Sequence, residues 1–96
     1  MANNIYLMEG IIQVKDLTMS ERTFVSLIYQ LNGFDPQPYK RGYFASYLNL
    51  DERSISRIIE KCFELGYINI TYVGHNGILI VPTEKTIDLY NASEVF

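Results

Sequence analysis

Phe44-Ala45-Ser46-Tyr47-Leu48-Asn49-Leu50-Asp51-Glu52-Arg53-Ser54-Ile55-Ser56-Arg57-Ile58-Ile59 reads as a short helix, a tight turn and a longer helix. Asp51 is a natural N-cap, because its carboxylate accepts from first-turn amides that lack an intrahelical partner. The helix that it opens runs to Leu65 and stops at Gly66. At about 100° per residue, Ile55, Ile58, Ile59 and Cys62 share one stripe, which is expected to face a core. Arg53 and Arg57 fall on the opposite side. Like charges at i and i+4 destabilise an isolated helix by about 0.2–0.5 kcal/mol. Local stability therefore does not account for the pair, whereas an anion bound there does.

Working upstream, a short helix is expected from Lys40 to Tyr47, with Phe44, Ala45 and Leu48 as its core contacts. Ala45 is small where the next helix crosses close by, and Asn49-Leu50 makes the turn. Residues 34–39 contain two prolines and are expected to be a loop. Before them, Thr18-Met19-Ser20-Glu21 is a capping box, which starts a helix carrying Phe24, Leu27, Ile28 and Leu31 on one face. Gly33 stops it. Ile11-Ile12-Gln13-Val14 is expected as a strand or packed extended arm.

Downstream of Gly66 the apolar period changes from helical to two. Tyr67-Ile68-Asn69-Ile70-Thr71 alternates as a half-buried strand does. Gly74-His75-Asn76-Gly77 is a hairpin turn, with Asn76-Gly77 suited to positive φ. Ile78-Leu79-Ile80-Val81 returns as the partner strand, and Pro82 ends it. Thr83-Glu84-Lys85 starts a last helix, apolar through Ile87 and Tyr90, with Val95-Phe96 as its apolar end. The chain is thus expected to be one α+β domain over residues 1–96. Its parts are an arm or strand over 1–17, a three-helix core over 18–65, a hairpin over 67–82 and a C-terminal helix over 83–96.

Composition narrows the function. Nearly half of the 96 residues are apolar, enough for a core without covalent staples. One cysteine excludes an internal disulfide and fits a reducing compartment. Cys62 lies on the apolar stripe and reads as a structural thiol. The start does not look like a signal peptide, and no apolar run approaches the ~20 residues of a membrane span. A cytoplasmic protein is expected. The net charge is -3, yet Lys40, Arg41, Arg53, Arg57 and Lys61 stand against Asp51, Glu52 and Glu60, leaving +2 over residues 40–61. That is a local basic patch on an acidic body, compatible with a nucleic acid or with an acidic protein partner. There is no phosphate loop, paired metal-ligand motif or nucleophile–base set, so no catalytic residue, metal or cofactor is expected. The tyrosines at 39, 43, 47, 67 and 72 are scattered over loop, helix and strand, and read as packing and surface rather than a stacking platform.

Three segments in order, Phe44-Ala45-x-x-Leu48-x-Leu50, Arg53-Ser54-Ile55-Ser56-Arg57-Ile58-Ile59 and Leu65-Gly66-Tyr67-Ile68, followed by the hairpin, resemble the winged helix-turn-helix family. The resemblance covers roughly residues 18 to 90. It is similar in scale to short phage and plasmid proteins that regulate transcription, organise replication or bind centromeres in plasmid partition. It implies that the third helix enters the major groove and that the hairpin, as a wing, touches backbone or minor groove. Position by position, Arg53, Ser54, Ser56 and Arg57 match the groove-facing part of the recognition helix, and His75 and Asn76 match the wing tip. Lys40 and Arg41 stand at a helix start, where phosphates bind readily, and Lys61 lies on one flank of the third helix. Two departures from the family pattern are a wing without Lys or Arg and a recognition helix ending with Glu60 and Glu64.

The expectation is double-stranded DNA binding by a homodimer, since one copy makes few phosphate contacts and two copies double the interface. Ile5 to Val14 and the C-terminal helix with Val95-Phe96 are the expected dimer surfaces, being apolar and additional to the three-helix core. The alternative is a winged helix for protein–protein assembly, whose arginines meet an acidic partner. Each residue also has a plainer reading. Arg57 can pair with Glu60 for about 0.5 kcal/mol. Lys40, Arg41 and Lys61 can be solvated surface charges, and Ser54 and Ser56 ordinary helix serines. His75 can be a turn residue, with no second ligand to make a metal site.

Overall fold

The computed structural model describes residues 8–74 and 77–93. The first element departs from expectation: Glu9–Ile12 is a short helix, α1, and not a strand or extended arm. Long-range contacts decide this. Ile11 is fully buried, the Met8 amide donates to Ser26 Oγ at 3.3 Å, and Arg22 Nε and Nη2 donate to the Val14 carbonyl at 3.0 and 2.6 Å. A four-residue apolar run satisfies a helix or a strand equally well until such partners exist.

Helix α2, Met19–Asn32, begins with the expected capping box: the Glu21 amide donates to Thr18 Oγ1 at 3.3 Å and the Thr18 amide to Glu21 Oε1 at 2.9 Å. It buries Phe24, Val25, Leu27 and Ile28, and Gly33 ends it at φ 62°. The following segment is a second departure, because Gln37–Pro38 forms a short strand, β1, instead of loop. Pro38 lacks a donor, but β1 lies at the sheet edge, and the Tyr39 amide supplies the adjacent hydrogen bond to the Ile78 carbonyl at 3.0 Å.

Helix α3, Arg41–Leu48, is anchored by Phe44, whose ring meets Phe24 edge-on at 5.5 Å. Asn49, left-handed at φ 55°, turns the chain into α4, Glu52–Glu64. Ile55, Ile58, Ile59 and Cys62 are all buried as the stripe requires. Burial, and secondarily the carboxylates of Glu21 and Asp16, pushes the Cys62 thiol up to about 12, so it is a neutral core group. Gly66, at φ 83°, reverses the chain into β2, Ile68–Tyr72. Strand β3, Ile78–Pro82, pairs antiparallel with β2 from Ile68↔Pro82 to Tyr72↔Ile78, and with β1 at Gln37↔Ile80 and Pro38↔Leu79.

Helix α5, Glu84–Ser93, closes the core. Thr83 Oγ1 donates to the Gly66 carbonyl at 2.7 Å, Thr86 Oγ1 to the Tyr67 carbonyl at 2.6 Å, and the Tyr90 hydroxyl to the Val25 carbonyl at 2.8 Å. Helix α1 packs on both α2 and α5. The segment expected to dimerise is therefore partly used within the chain: Ile11 is buried and Val14 half-buried, although Ile12 is exposed. Residues 5–7 and Val95-Phe96 of the expected dimer surfaces lie outside the described residues. Among the described residues the architecture is α+β, five helices and one three-stranded antiparallel sheet in the order β1-β3-β2. No described helix is long and apolar enough to cross a membrane.

Candidate nucleic-acid interface

Helix α4 carries most of the candidate residues, and its orientation follows from its two ends and its stripe. The Ser54 amide donates to Asp51 Oδ1 at 2.7 Å, which fixes the first turn. The Asp51 carboxyl is held below its ordinary value, first by the Ser54 amide, then by the Ser54 hydroxyl, and more weakly by the charges of Arg53 and Arg57. With the isoleucines buried, the opposite face must be solvent-facing, and Arg53 and Arg57 are exposed there. Neither arginine side chain has a hydrogen bond or ion pair among the described residues, so the local Arg57–Glu60 pair is not formed. Lys61, also exposed, continues the line at the next i+4 step. Three cations thus run along α4, each step displaced by about 40° around the axis. Glu60 and Glu64 lie on the same outward side, so the far end of the helix is electrically mixed.

The other candidates separate. Ser54 is half-buried and its amide serves the cap, so its observed role is structural. Ser56 is exposed on the flank of α4 that faces the sheet. Lys40 is exposed at the N-cap position of α3, where its side chain makes no capping bond. Arg41 is the first residue of α3, and its side chain lies outside the described set. His75 and Asn76 lie outside the described residues. The structure therefore brings Arg53, Arg57 and Lys61 onto one helix surface, with Ser56 on its flank and Lys40 on another element.

One feature on this side has no counterpart in the sequence reading. A cleft of about 340 Å³ runs between α4 and the sheet. Ser56, Ile59, Glu60 and Phe63 line it from the helix, and Tyr39, Ile70, Tyr72 and Ile78 from the sheet side. Phe63 is 48 % exposed and Tyr72 81 % exposed, while the Tyr39 hydroxyl is buried without a hydrogen-bond partner. Helical spacing places Phe63 at the margin of the buried stripe. Alternation places Ile70 and Tyr72 on the face of β2 that carries Ile68. Those two signals are in the sequence, but their convergence requires the tertiary fold. Among the described residues no cluster of three His, Cys, Asp or Glu side chains is arranged to hold a metal ion. No family model, curated protein or solved structure matches the chain.

Proposed function

We propose that this chain is a winged helix-turn-helix protein that binds double-stranded DNA as a dimer, with α4 entering the major groove. The observation that carries the reading is the pair Arg53 and Arg57, exposed and unpaired among the described residues on a helix whose opposite face is wholly buried. A rigid helix that offers free guanidinium groups is suited to gripping phosphate or reading guanine. The order α2, β1, α3 and α4, then the antiparallel β2–β3 hairpin, then α5 supports the winged-helix assignment. Arg53, Arg57 and Lys61 are the helix contacts, Lys40 and Arg41 meet backbone phosphate, and Ser56 is a flank contact. In this reading the protein is cytoplasmic and non-catalytic, and it acts in transcriptional regulation, replication or partition of a phage, plasmid or bacterial genome.

The test is fragment selection from source-genome DNA, followed by titration at low salt. Repeated half-sites about one helical turn apart are expected. Changing Arg53 and Arg57 together to alanine should weaken duplex binding strongly while leaving the thermal melt in place. A wild-type protein that shifts no duplex at low salt overturns the proposal in favour of a protein-assembly module, a reading that the apolar cleft beside α4 independently favours.

A further inference from the structure

The two edges of the sheet are built differently. The β1 edge is two residues long and carries Pro38, both of which are ways of blunting an edge. The β2 edge is five residues, Ile68–Tyr72, with no proline, no charge and no covering strand among the described residues. Its backbone polarity follows from the ladder. The Thr83 amide donates to the Tyr67 carbonyl at 3.2 Å and the Val73 amide to the Gly77 carbonyl at 2.9 Å. Antiparallel pairing alternates, so Tyr67, Asn69, Thr71 and Val73 direct their amides and carbonyls toward β3. Ile68, Ile70 and Tyr72 direct theirs outward, away from the sheet.

We propose that this edge pairs with the same edge of a second copy of the chain, joining the two sheets into one six-stranded sheet. The outward set is self-complementary under a two-fold axis. Ile70 faces Ile70 of the second copy, and Ile68 faces Tyr72, so every outward amide and carbonyl finds a partner in three hydrogen-bonded pairs. Electrostatics selects the same place. The protein carries a net charge of -3, yet the whole stretch from Leu65 to Thr83 holds no Asp, Glu, Lys or Arg. Two acidic copies meet there without opposing like charges. The side chains agree, because Tyr72 is 81 % and Val73 46 % exposed, and Ile70 and Tyr72 join the apolar cleft against Phe63. A two-fold axis normal to the sheet leaves both α4 helices on one face. A hairpin without lysine or arginine is then an association element and not a phosphate-gripping one. This inference rests on the dimeric part of the proposed function and is independent of DNA binding.

Two measurements on the full chain without DNA test it. Sedimentation equilibrium from micromolar to millimolar protein should show a monomer–dimer equilibrium. Tyr72→Pro removes one outward amide and leaves the β2–β3 ladder whole, and it should weaken the dimer at least tenfold. Thr71→Ser alters only the opposite face and adds no charge, and it should leave the dimer within about twofold. Amide exchange by NMR is the second readout. Ile68, Ile70 and Tyr72 should gain protection as concentration rises, while Asn69 and Thr71 stay protected throughout. A wild-type monomer at millimolar concentration overturns both this pairing and the dimeric reading. A dimer whose Ile70 and Tyr72 amides gain no protection overturns the pairing alone and leaves the dimer to another surface.

Discussion

At the scale of single residues, Asp51 joins the fold to the candidate interface. Its carboxylate caps α4 through the Ser54 amide, and the nearby charges of Arg53 and Arg57 favour its ionised form in the same direction. Its folded pKa is depressed, so its stabilising contribution is complete above the ordinary carboxylate range near pH 4 and is lost as pH falls through the folded value. Asp51→Asn keeps an oxygen for the Ser54 amide but removes the charge. The wild type should therefore melt higher than Asp51→Asn at pH 7, and the gap should close as pH is lowered through and below the ordinary carboxylate range. Equal separation of the two melting curves at every pH would show that the charge is not what matters. Residues of this kind are the most legible in the sequence. Thr18, Glu21, Asp51 and the Ile55–Ile58–Ile59–Cys62 stripe all sit where local rules put them, because caps and helical periodicity depend on neighbours within one turn. Ser54 is the exception among the candidate contacts: the cap beside it claims its amide, and the helix keeps its side chain half-buried.

Elements differ in how far their causes lie from them in the chain. Helices α2, α3 and α4 and the strands β2 and β3 follow from period and local punctuation, but the turn between the strands differs from expectation at Gly77, because the positive φ falls at Gly74 instead. Strand β1 and helix α1 do not follow from local signals, since one exists through pairing with β3 and the other through Ser26 and α5, which are distant in sequence. Helix α5 lies between these cases. Its start and its inward Tyr90 are readable, but its anchorage is tertiary. Tyr90 is fully buried, meets the Tyr29 ring at a tilt with centroids 4.7 Å apart, stacks with Phe34 at 6.0 Å, and donates to the Val25 carbonyl. Tyr90→Phe deletes only the hydroxyl and should lower stability by about 1 kcal/mol. Tyr90→Ala also empties the site and should lower it by about 3–5 kcal/mol, a large share of the ~5–15 kcal/mol typical of such a domain. Urea titration followed by circular dichroism measures both. Equal losses for the two variants would mean that the ring contributes nothing to closing the core, against its position between α2 and the residues after it.

Across the whole molecule, charge and apolar surface are arranged on different parts of the same region. The cations of α4 point outward in line, the hairpin beside it is uncharged, and the acidic excess belongs to the remainder of the chain. The cleft between α4 and the sheet was beyond sequence reading for the same reason as β1, because Tyr39, Phe63 and Tyr72 meet only once three separate segments have packed. An acidic protein with few outward cations can hold DNA only through a small number of phosphate contacts, and that number is measurable. Binding weakens with salt at a slope of about -0.9 in log K against log salt for each phosphate neutralised on duplex DNA. Arg53, Arg57, Lys61, Lys40 and Arg41 of one copy, if all engaged, set a slope of about -4.5 per copy, and two copies on adjacent half-sites double it. Replacing Arg53 and Arg57 by alanine should make the slope shallower by about 2 per bound copy, whichever DNA sequence is used, when both arginines grip phosphate. When they read bases instead, the slope should hold nearly constant while preference for the selected site collapses. Fluorescence anisotropy on selected and scrambled duplexes from 25 to 200 mM salt separates these outcomes. If neither slope nor preference moves, α4 is not the element that meets DNA, however well its exposed arginines are placed to do so.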